Sequence, residues 1–153
     1  MSDPSIQDRI QSDMTAAMKA KDAETLSTLR MLKAALMEAR TKKPKGAEFS
    51  ADEEIEILMR YAKKRRETID ELKKAGRADL VAREEQEIAV TQRYLPQAIS
   101  EDELKALIRA TAERVQAAGP KDAGKVIGAV LGQVKGRADG GTVSRLVREV
   151  LGP

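Results

Sequence analysis

The sequence contains no cysteine, no histidine and no tryptophan, and its only aromatic residues are one phenylalanine and two tyrosines. Without cysteine, the chain cannot form disulfides, thiolate metal sites or a thiol nucleophile. Without histidine, it lacks the commonest general base and metal ligand. It also contains no phosphate-binding loop of the form GxxxxGK[ST]. We therefore expect no metal site and no bound cofactor, and the spacing of the remaining residues identifies no catalytic residue.

Long apolar runs are missing as well. No stretch approaches the ~20 apolar residues needed to cross a bilayer. The start, Met1-Ser2-Asp3-Pro4-Ser5, lacks the basic and then apolar run of a secretion signal. We expect a soluble, cytoplasmic protein without a membrane partner. The 28 basic and 25 acidic residues leave a net charge of +3, which permits a nucleic-acid partner without indicating one, because an electrostatic footprint is usually clustered.

The residues that are abundant are typical of helices. Charged residues make up 35% of the chain, and Ala, Leu, Met, Glu, Lys and Arg are frequent. Apolar residues recur at helical spacing, as in the first predicted helix with Ile6, Ile10, Met14 and Met18. Ser50 and Ser100 begin capping boxes, and Pro96 disfavours helix at the preceding residue. We predict an all-α protein, with an N-terminal domain of about four helices over 1–95 and a small three-helix domain over 96–153.

A basic run in the third predicted helix, Lys63-Lys64-Arg65-Arg66, has two interpretations. The first is a solvated helix face. The second follows from the helical period, which puts both arginines on the apolar line of that helix and level with the fourth helix across a hairpin. Because buried charges need partners and arginine suits bidentate pairing, we predict a partly buried ion-pair cluster of Arg65, Arg66, Glu84 and Glu87.

Near the C-terminus, glycine recurs every fourth residue, and we predict close approach of another group at Gly124, Gly128, Gly132 and Gly136. Residues four apart share a helix face, and each mid-helix glycine costs about 0.8–1 kcal/mol relative to alanine. Either a helix of the same domain or a ligand such as a nucleic-acid backbone would offset that loss. If the neighbour is a helix, Gly128→Leu should overpack and destabilise by about 1–3 kcal/mol.

Two sets of motifs resemble known families. Lys64-Arg65-Arg66-Glu67-Thr68-Ile69, Ala75-Gly76-Arg77-Ala78-Asp79-Leu80 and the stretch from Glu84 to Tyr94-Leu95-Pro96 resemble the YqeY proteins, over essentially the whole chain. Gly124-Lys125-Val126-Ile127-Gly128 and Lys135-Gly136-Arg137-Ala138-Asp139 are similar to the tail of the GatB subunit of the glutamine-dependent aspartyl/glutamyl-tRNA amidotransferase. The resemblance implies a helical N-terminal domain and a three-helix tail that contacts tRNA.

The resemblance also implies carbon–nitrogen ligase activity with glutamine as amido-N-donor. The amidotransferase, however, activates the tRNA-linked carboxylate in a cradle domain that has no counterpart in this sequence, and it generates ammonia on another subunit. The expectation of ligase activity therefore rests on the resemblance of the tail alone. The tail positions that match the motif are Gly124, Lys125, Gly128, Lys135, Gly136, Arg137 and Asp139.

Residues 121–153 contain six basic and three acidic residues, so this segment accounts for the net charge of the whole chain. We predict an accessory protein that binds tRNA or structured RNA, not DNA, through Lys125, Lys135, Arg137, Arg145 and Arg148. The scarcity of aromatic residues favours recognition of shape and backbone over base reading. Two alternatives stay open: an adaptor that docks on an aminoacyl-tRNA synthetase or an amidotransferase, and an independent enzyme.

Overall fold

The computed structural model describes residues 3–152, and within them the chain forms seven α-helices and no strand, which confirms the all-α prediction. None of these helices is long and apolar enough to span a membrane. The helices group into two compact units divided between Leu95 and Pro96. The predicted division into two domains, 1–95 and 96–153, stays a prediction. The helices are α1 (Ile6–Lys19), α2 (Ala23–Thr41), α3 (Ala51–Lys74), α4 (Ala78–Gln92), α5 (Glu101–Arg114), α6 (Ala123–Gln133) and α7 (Gly140–Leu151).

Local side-chain caps set where several helices begin. The Ser50 hydroxyl accepts a hydrogen bond of 3.1 Å from the backbone N–H of Glu53 at the start of α3. The Ser100 hydroxyl does the same for Glu103 at the start of α5, also at 3.1 Å. Both capping residues predicted from the sequence are thereby confirmed as N-caps. Such a side-chain oxygen satisfies an N–H group that has no partner within the helix.

The first unit is built around α2, which packs against α1, α3 and α4. Its core consists mainly of aliphatic side chains without solvent exposure, namely Ile10, Leu29, Leu32, Leu36 and Leu58, with Val90 and Tyr94 of the α4 region beside them. α3 and α4 form a helical hairpin that turns at Gly76. The φ angle of Gly76 is +70°, in the left-handed region that glycine adopts without steric strain.

The apolar line predicted for α1 is only partly correct. Ile6 and Ile10 are buried, but Met18 is 59% exposed, and Ala17 takes the buried position in the last turn. The physical reason is the helical period of 3.6 residues. Positions four apart rotate by about 40° at each step, so by Met18 the line has turned about 120° away from the core.

In the second unit, each of α5, α6 and α7 packs against the other two. The buried side chains come from one stripe of each helix: Leu104, Ile108, Val126, Val130, Val143, Leu146 and Val147. Val126 and Val130 are four residues apart, so they lie on the same side of α6 and define its core face.

Candidate nucleic-acid interface

The outer face of α6 carries glycine and faces solvent. Gly124, Gly128 and Gly132 are exposed, and a Cβ atom added to any of them would meet no other heavy atom within 4 Å. At about 100° per residue, Gly128 lies nearly opposite the buried Val126 and Val130. The expectation that a helix of the same domain packs on this stripe is therefore wrong. The other expectation, a ligand or nucleic-acid backbone, is untested.

Gly136 has a different role from these three glycines. It follows the end of α6 and has a φ angle of +77°, a conformation that side-chain-bearing residues rarely adopt. The turn continues through a 2.7 Å hydrogen bond from the Arg137 backbone N–H to the carbonyl of Val134. Gly136 is thus required by the turn itself.

Arg137 is held by the segment that precedes α5. Its Nε donates to the Gln97 carbonyl at 3.0 Å, and its own carbonyl accepts from the Ile99 N–H at 3.0 Å. Both ends of the residue are therefore anchored, while the side chain stays exposed. Because a guanidinium has five N–H donors, the bond from Nε leaves the terminal nitrogens available for an anion.

Lys125 is also anchored and exposed. Its Nζ donates to the Val115 carbonyl at 3.0 Å, and Val115 is the C-cap residue that follows the last residue of α5. A lysine at this position stabilises the carboxyl end of α5, because the unpaired carbonyl groups there carry partial negative charge. An ammonium has three donors, so one bond to a carbonyl leaves two for a further partner.

The predicted RNA contacts on α7 differ from each other. Arg145 forms ion pairs with Glu101, which lies in α5, and with Glu149 at 3.0 Å. The hydrogen bonds to Glu101 and then to Glu149 raise the pKa of Arg145 above its usual value. The charge of Arg145 thus already has two carboxylate partners, while the side chain stays about half exposed. Its predicted contact with RNA stays a prediction. Arg148 is exposed, and no ion pair of this side chain occurs within residues 3–152.

Lys135 is the remaining predicted contact, and it is exposed two residues after the end of α6. The bare face of α6, formed by its three exposed glycines, thus has cations near both ends in sequence: Lys125 near the start, and Lys135 and Arg137 after the end. Arg148 lies separately on α7. Sequence reasoning missed the Gln97 carbonyl, because backbone acceptors leave no residue-type signal. The Arg145–Glu149 pair was detectable, since residues four apart on a helix are neighbours.

In the first unit, the predicted ion-pair cluster is present for one of its two arginines. Arg65 Nη1 lies 3.5 Å from Glu84 Oε2 and 3.7 Å from Glu87 Oε2, across α3 and α4. The guanidinium of Arg65 also lies over the Tyr61 ring, 5.2 Å from its centroid. The prediction is wrong for Arg66, which is exposed. Adjacent residues differ by about 100° around a helix, so only one of the two can face α4.

Burial shapes the protonation of this cluster. It raises the pKa of the Tyr61 hydroxyl to about 12, and the nearby charge of Glu87 acts in the same direction. Burial also raises the pKa of Glu84; Arg65 opposes this rise and Glu87 reinforces it. Within residues 3–152 no group of three or more His, Cys, Asp or Glu side chains is arranged to hold a metal ion.

Comparison with known proteins places the chain in a family. It is 32% identical over 149 residues to the "Altered inheritance of mitochondria protein 41, mitochondrial" of Pyrenophora tritici-repentis, a match covering 94% of this chain and 80% of that protein. An uncharacterized protein of Schizosaccharomyces pombe is 28% identical over 95 residues, which covers 61% of this chain and 75% of that protein. The family model described as "Yqey-like protein" matches residues 7–151. The chain therefore belongs to the Yqey-like protein family.

Proposed function

We propose that this Yqey-like protein is an RNA-binding accessory protein whose α6 contacts the sugar–phosphate backbone of tRNA or another structured RNA. The observation that carries the proposal is the exposed glycine face of α6, which no residue in the described range 3–152 covers. Glycine inside a helix lowers its stability, and internal packing here does not offset that loss. A nucleic-acid backbone that approaches the bare peptide groups makes use of a surface that the fold itself leaves open.

The charges around α6 support the same proposal. α6 has 11 residues, about 16 Å of helix at 1.5 Å per residue. Lys125 lies near its start, and Lys135 and Arg137 follow its end. Because Lys125 and Arg137 are anchored by backbone carbonyls, little side-chain entropy is lost when they bind a phosphate. Phosphate contacts of this kind position an RNA without reading its sequence.

The proposal assigns this chain binding and no catalysis of its own. Its tail resembles that of the GatB subunit, so we propose a link to tRNA amidation through the RNA. Carbon–nitrogen ligation with glutamine as donor remains the chemistry of the amidotransferase. We place the protein in a soluble compartment that contains tRNA. The sequence led us to expect the cytoplasm, whereas the name of the Pyrenophora relative assigns that relative to mitochondria.

The proposal is tested by blocking the bare face without disturbing the fold. Since the surroundings of Gly128 are open, Gly128→Leu should keep the full-length protein folded and weaken its binding to a mixed tRNA pool, measured by fluorescence anisotropy. Ala110→Leu is the control, because it places the same leucine side chain at an exposed position of α5. Equal affinity of the two variants for tRNA would show that α6 is not part of the RNA interface.

A second experiment tests the charges. Each phosphate contact that is lost should lower the slope of log affinity against log salt by about 0.7–0.9. The double variant Lys135→Glu/Arg137→Glu should therefore weaken binding similarly for many tRNAs and flatten this slope. The control Lys63→Glu/Lys64→Glu makes the same charge change at exposed positions of α3. Equal losses in both variants would indicate nonspecific attraction, with no defined site on the second unit.

The adaptor alternative is distinguished by the wild-type protein. If it binds no tRNA even at low salt, where electrostatic attraction is strongest, the RNA proposal fails. A bare helix face also allows close approach of a partner helix, so the adaptor function would then take its place. Retention of an aminoacyl-tRNA synthetase or amidotransferase in an RNase-treated pull-down would support that outcome.

A further inference from the structure

The side of α2 that points away from the core of the first unit is exposed. The buried face of α2 is formed by Thr28, Leu29, Leu32 and Leu36. At about 100° per residue, Ala34 lies directly opposite that face. Between residues 27 and 41, the other positions within about 60° of Ala34 are all exposed, namely Ser27, Arg30, Met31, Met37, Glu38 and Thr41. These seven residues form the outer stripe of α2.

The centre of the outer stripe is apolar. Met31 is 51% exposed and Met37 is 48% exposed, with Ala34 between them. Single apolar residues scattered over a surface are normal, but these two methionines lie on one face within two turns. Methionine is unbranched and adapts its shape to a neighbouring surface, and the small side chain of alanine allows another helix to come close. The centre of the stripe therefore suits contact with a second helix.

The outer stripe is complementary to itself when the helix direction is reversed. If a second α2 packs antiparallel with its own Ala34 at the same point, residues equally far before and after Ala34 come level with each other. The matched levels, from the centre outward, are Met31 with Met37, Arg30 with Glu38, and Ser27 with Thr41. Apolar residues thus meet apolar residues, opposite charges meet, and hydroxyls meet hydroxyls. A two-fold axis repeats each match on both sides of the centre.

We propose that the outer stripe is a dimer interface, at which the α2 helices of two copies of this chain pack antiparallel around a two-fold axis beside Ala34. The methionines and alanines form its apolar centre. The two pairs of Arg30 with Glu38 of the second copy set the register and the direction of the helices, as charged pairs beside a helix seam do. A parallel pair would bring Arg30 level with Arg30 and Glu38 level with Glu38, and these like charges repel.

Both charges of the stripe are accessible to a partner. Arg30 is exposed, and it has no ion pair within residues 3–152. Glu38 lies 3.1 Å from Lys42 on the same helix, but the two side chains are 70% and 74% exposed, so this surface pair holds Glu38 only weakly. The stripe carries one cation and one anion and has no net charge. It therefore fits a second copy of itself better than the phosphate backbone of an RNA, which selects clustered cations.

The size of the stripe determines the kind of dimer. A stable interface of standard size uses about 20–30 residues on each side, and the seven residues of the stripe with their immediate neighbours fall short of that. We therefore expect a reversible dimer whose population depends on protein concentration. The dimer does not depend on the proposed RNA binding, which belongs to the second unit.

The first test exchanges the two charges in the full-length protein. Sedimentation equilibrium from about 10 μM to about 1 mM detects association down to a Kd of roughly 1 mM. Wild type should dimerise, and Arg30→Glu should weaken dimerisation more than about tenfold, because carboxylates then face each other at both ends of the seam. The double variant Arg30→Glu/Glu38→Arg should restore it. The control Arg60→Glu makes the same charge change at an exposed position of α3 and should dimerise like wild type. A monomer at every concentration, or no recovery in the double variant, would overturn the proposal.

A cross-linking test locates the two-fold axis. The chain has no cysteine, so an introduced thiol is the only one in each copy. In an antiparallel pair of α2 helices about 8–10 Å apart, Ala34→Cys brings the two thiols together beside the axis, within the reach of a disulfide. Under mild oxidation this variant should form a covalent dimer much faster than Ala110→Cys, which replaces an exposed alanine of α5. Adding Arg30→Glu should slow the reaction. Equal rates for the two cysteine variants would indicate random collision and reject the interface.

Discussion

Replacing Gly128 with alanine tests what the outer face of α6 contributes to stability. Gly128 is the sixth of the 11 residues of α6, so it lies in the helix interior, where propensity acts fully. The added methyl group meets no atom within 4 Å. The substitution therefore brings no steric penalty and reduces the conformational freedom of the unfolded chain. We expect the free energy of unfolding to rise by about 0.8–1 kcal/mol.

Thermal unfolding measured by circular dichroism is a suitable assay. For a unit of about 60 residues, a gain of ~1 kcal/mol corresponds to an increase of roughly 4–8 °C in the melting temperature. Gly136→Ala is the matched control, since it adds the same methyl group at a φ angle of +77°. There the left-handed conformation should cost about 1–2 kcal/mol, so the two substitutions should change stability in opposite directions.

A decrease in melting temperature for Gly128→Ala would refute this reasoning, because it would mean that some group covers the face. The corresponding gains at Gly124 and Gly132 should be smaller. These residues lie in the first and last turns of α6, where the helix frays and propensity has less effect. Gly128→Ala should also weaken RNA binding less than Gly128→Leu does, since alanine keeps the peptide backbone more accessible.

Two further predictions concern the first unit. Glu54 is buried and accepts backbone N–H bonds from Ile6 at 3.3 Å and Gln7 at 2.9 Å, so Glu54→Ala should destabilise by about 1–3 kcal/mol in urea unfolding; a loss no larger than that of the exposed Glu56→Ala would contradict this role. The pKa of Tyr61 rises from 10 in the unfolded chain to about 12 on folding, so stability should fall as pH increases through that interval. In unfolding curves, the stability of Tyr61→Phe should fall less with rising pH than that of wild type. Parallel pH profiles of the two proteins would refute this prediction.

Local sequence was sufficient to predict the helices and several of their boundaries. A cap depends on residues three positions apart, so Ser50 and Ser100 could be identified without knowing the fold. Helical periodicity also indicated the start of the buried line of α1, at Ile6 and Ile10, because one face of a helix must leave water. Where the line drifted over several turns, as it did at Met18, the prediction was wrong.

The sequence by itself thus determined the helical class, the capping residues and most of the buried faces, because these depend on neighbours along the chain. Only the tertiary structure decided which polar groups meet. It selected Arg65 and excluded Arg66, paired Arg145 with Glu101, and left Gly128 uncovered. Helix periodicity specifies which direction a residue faces on its own helix, but the neighbour in that direction is set by how helices pack, and packing depends on contacts distant in sequence.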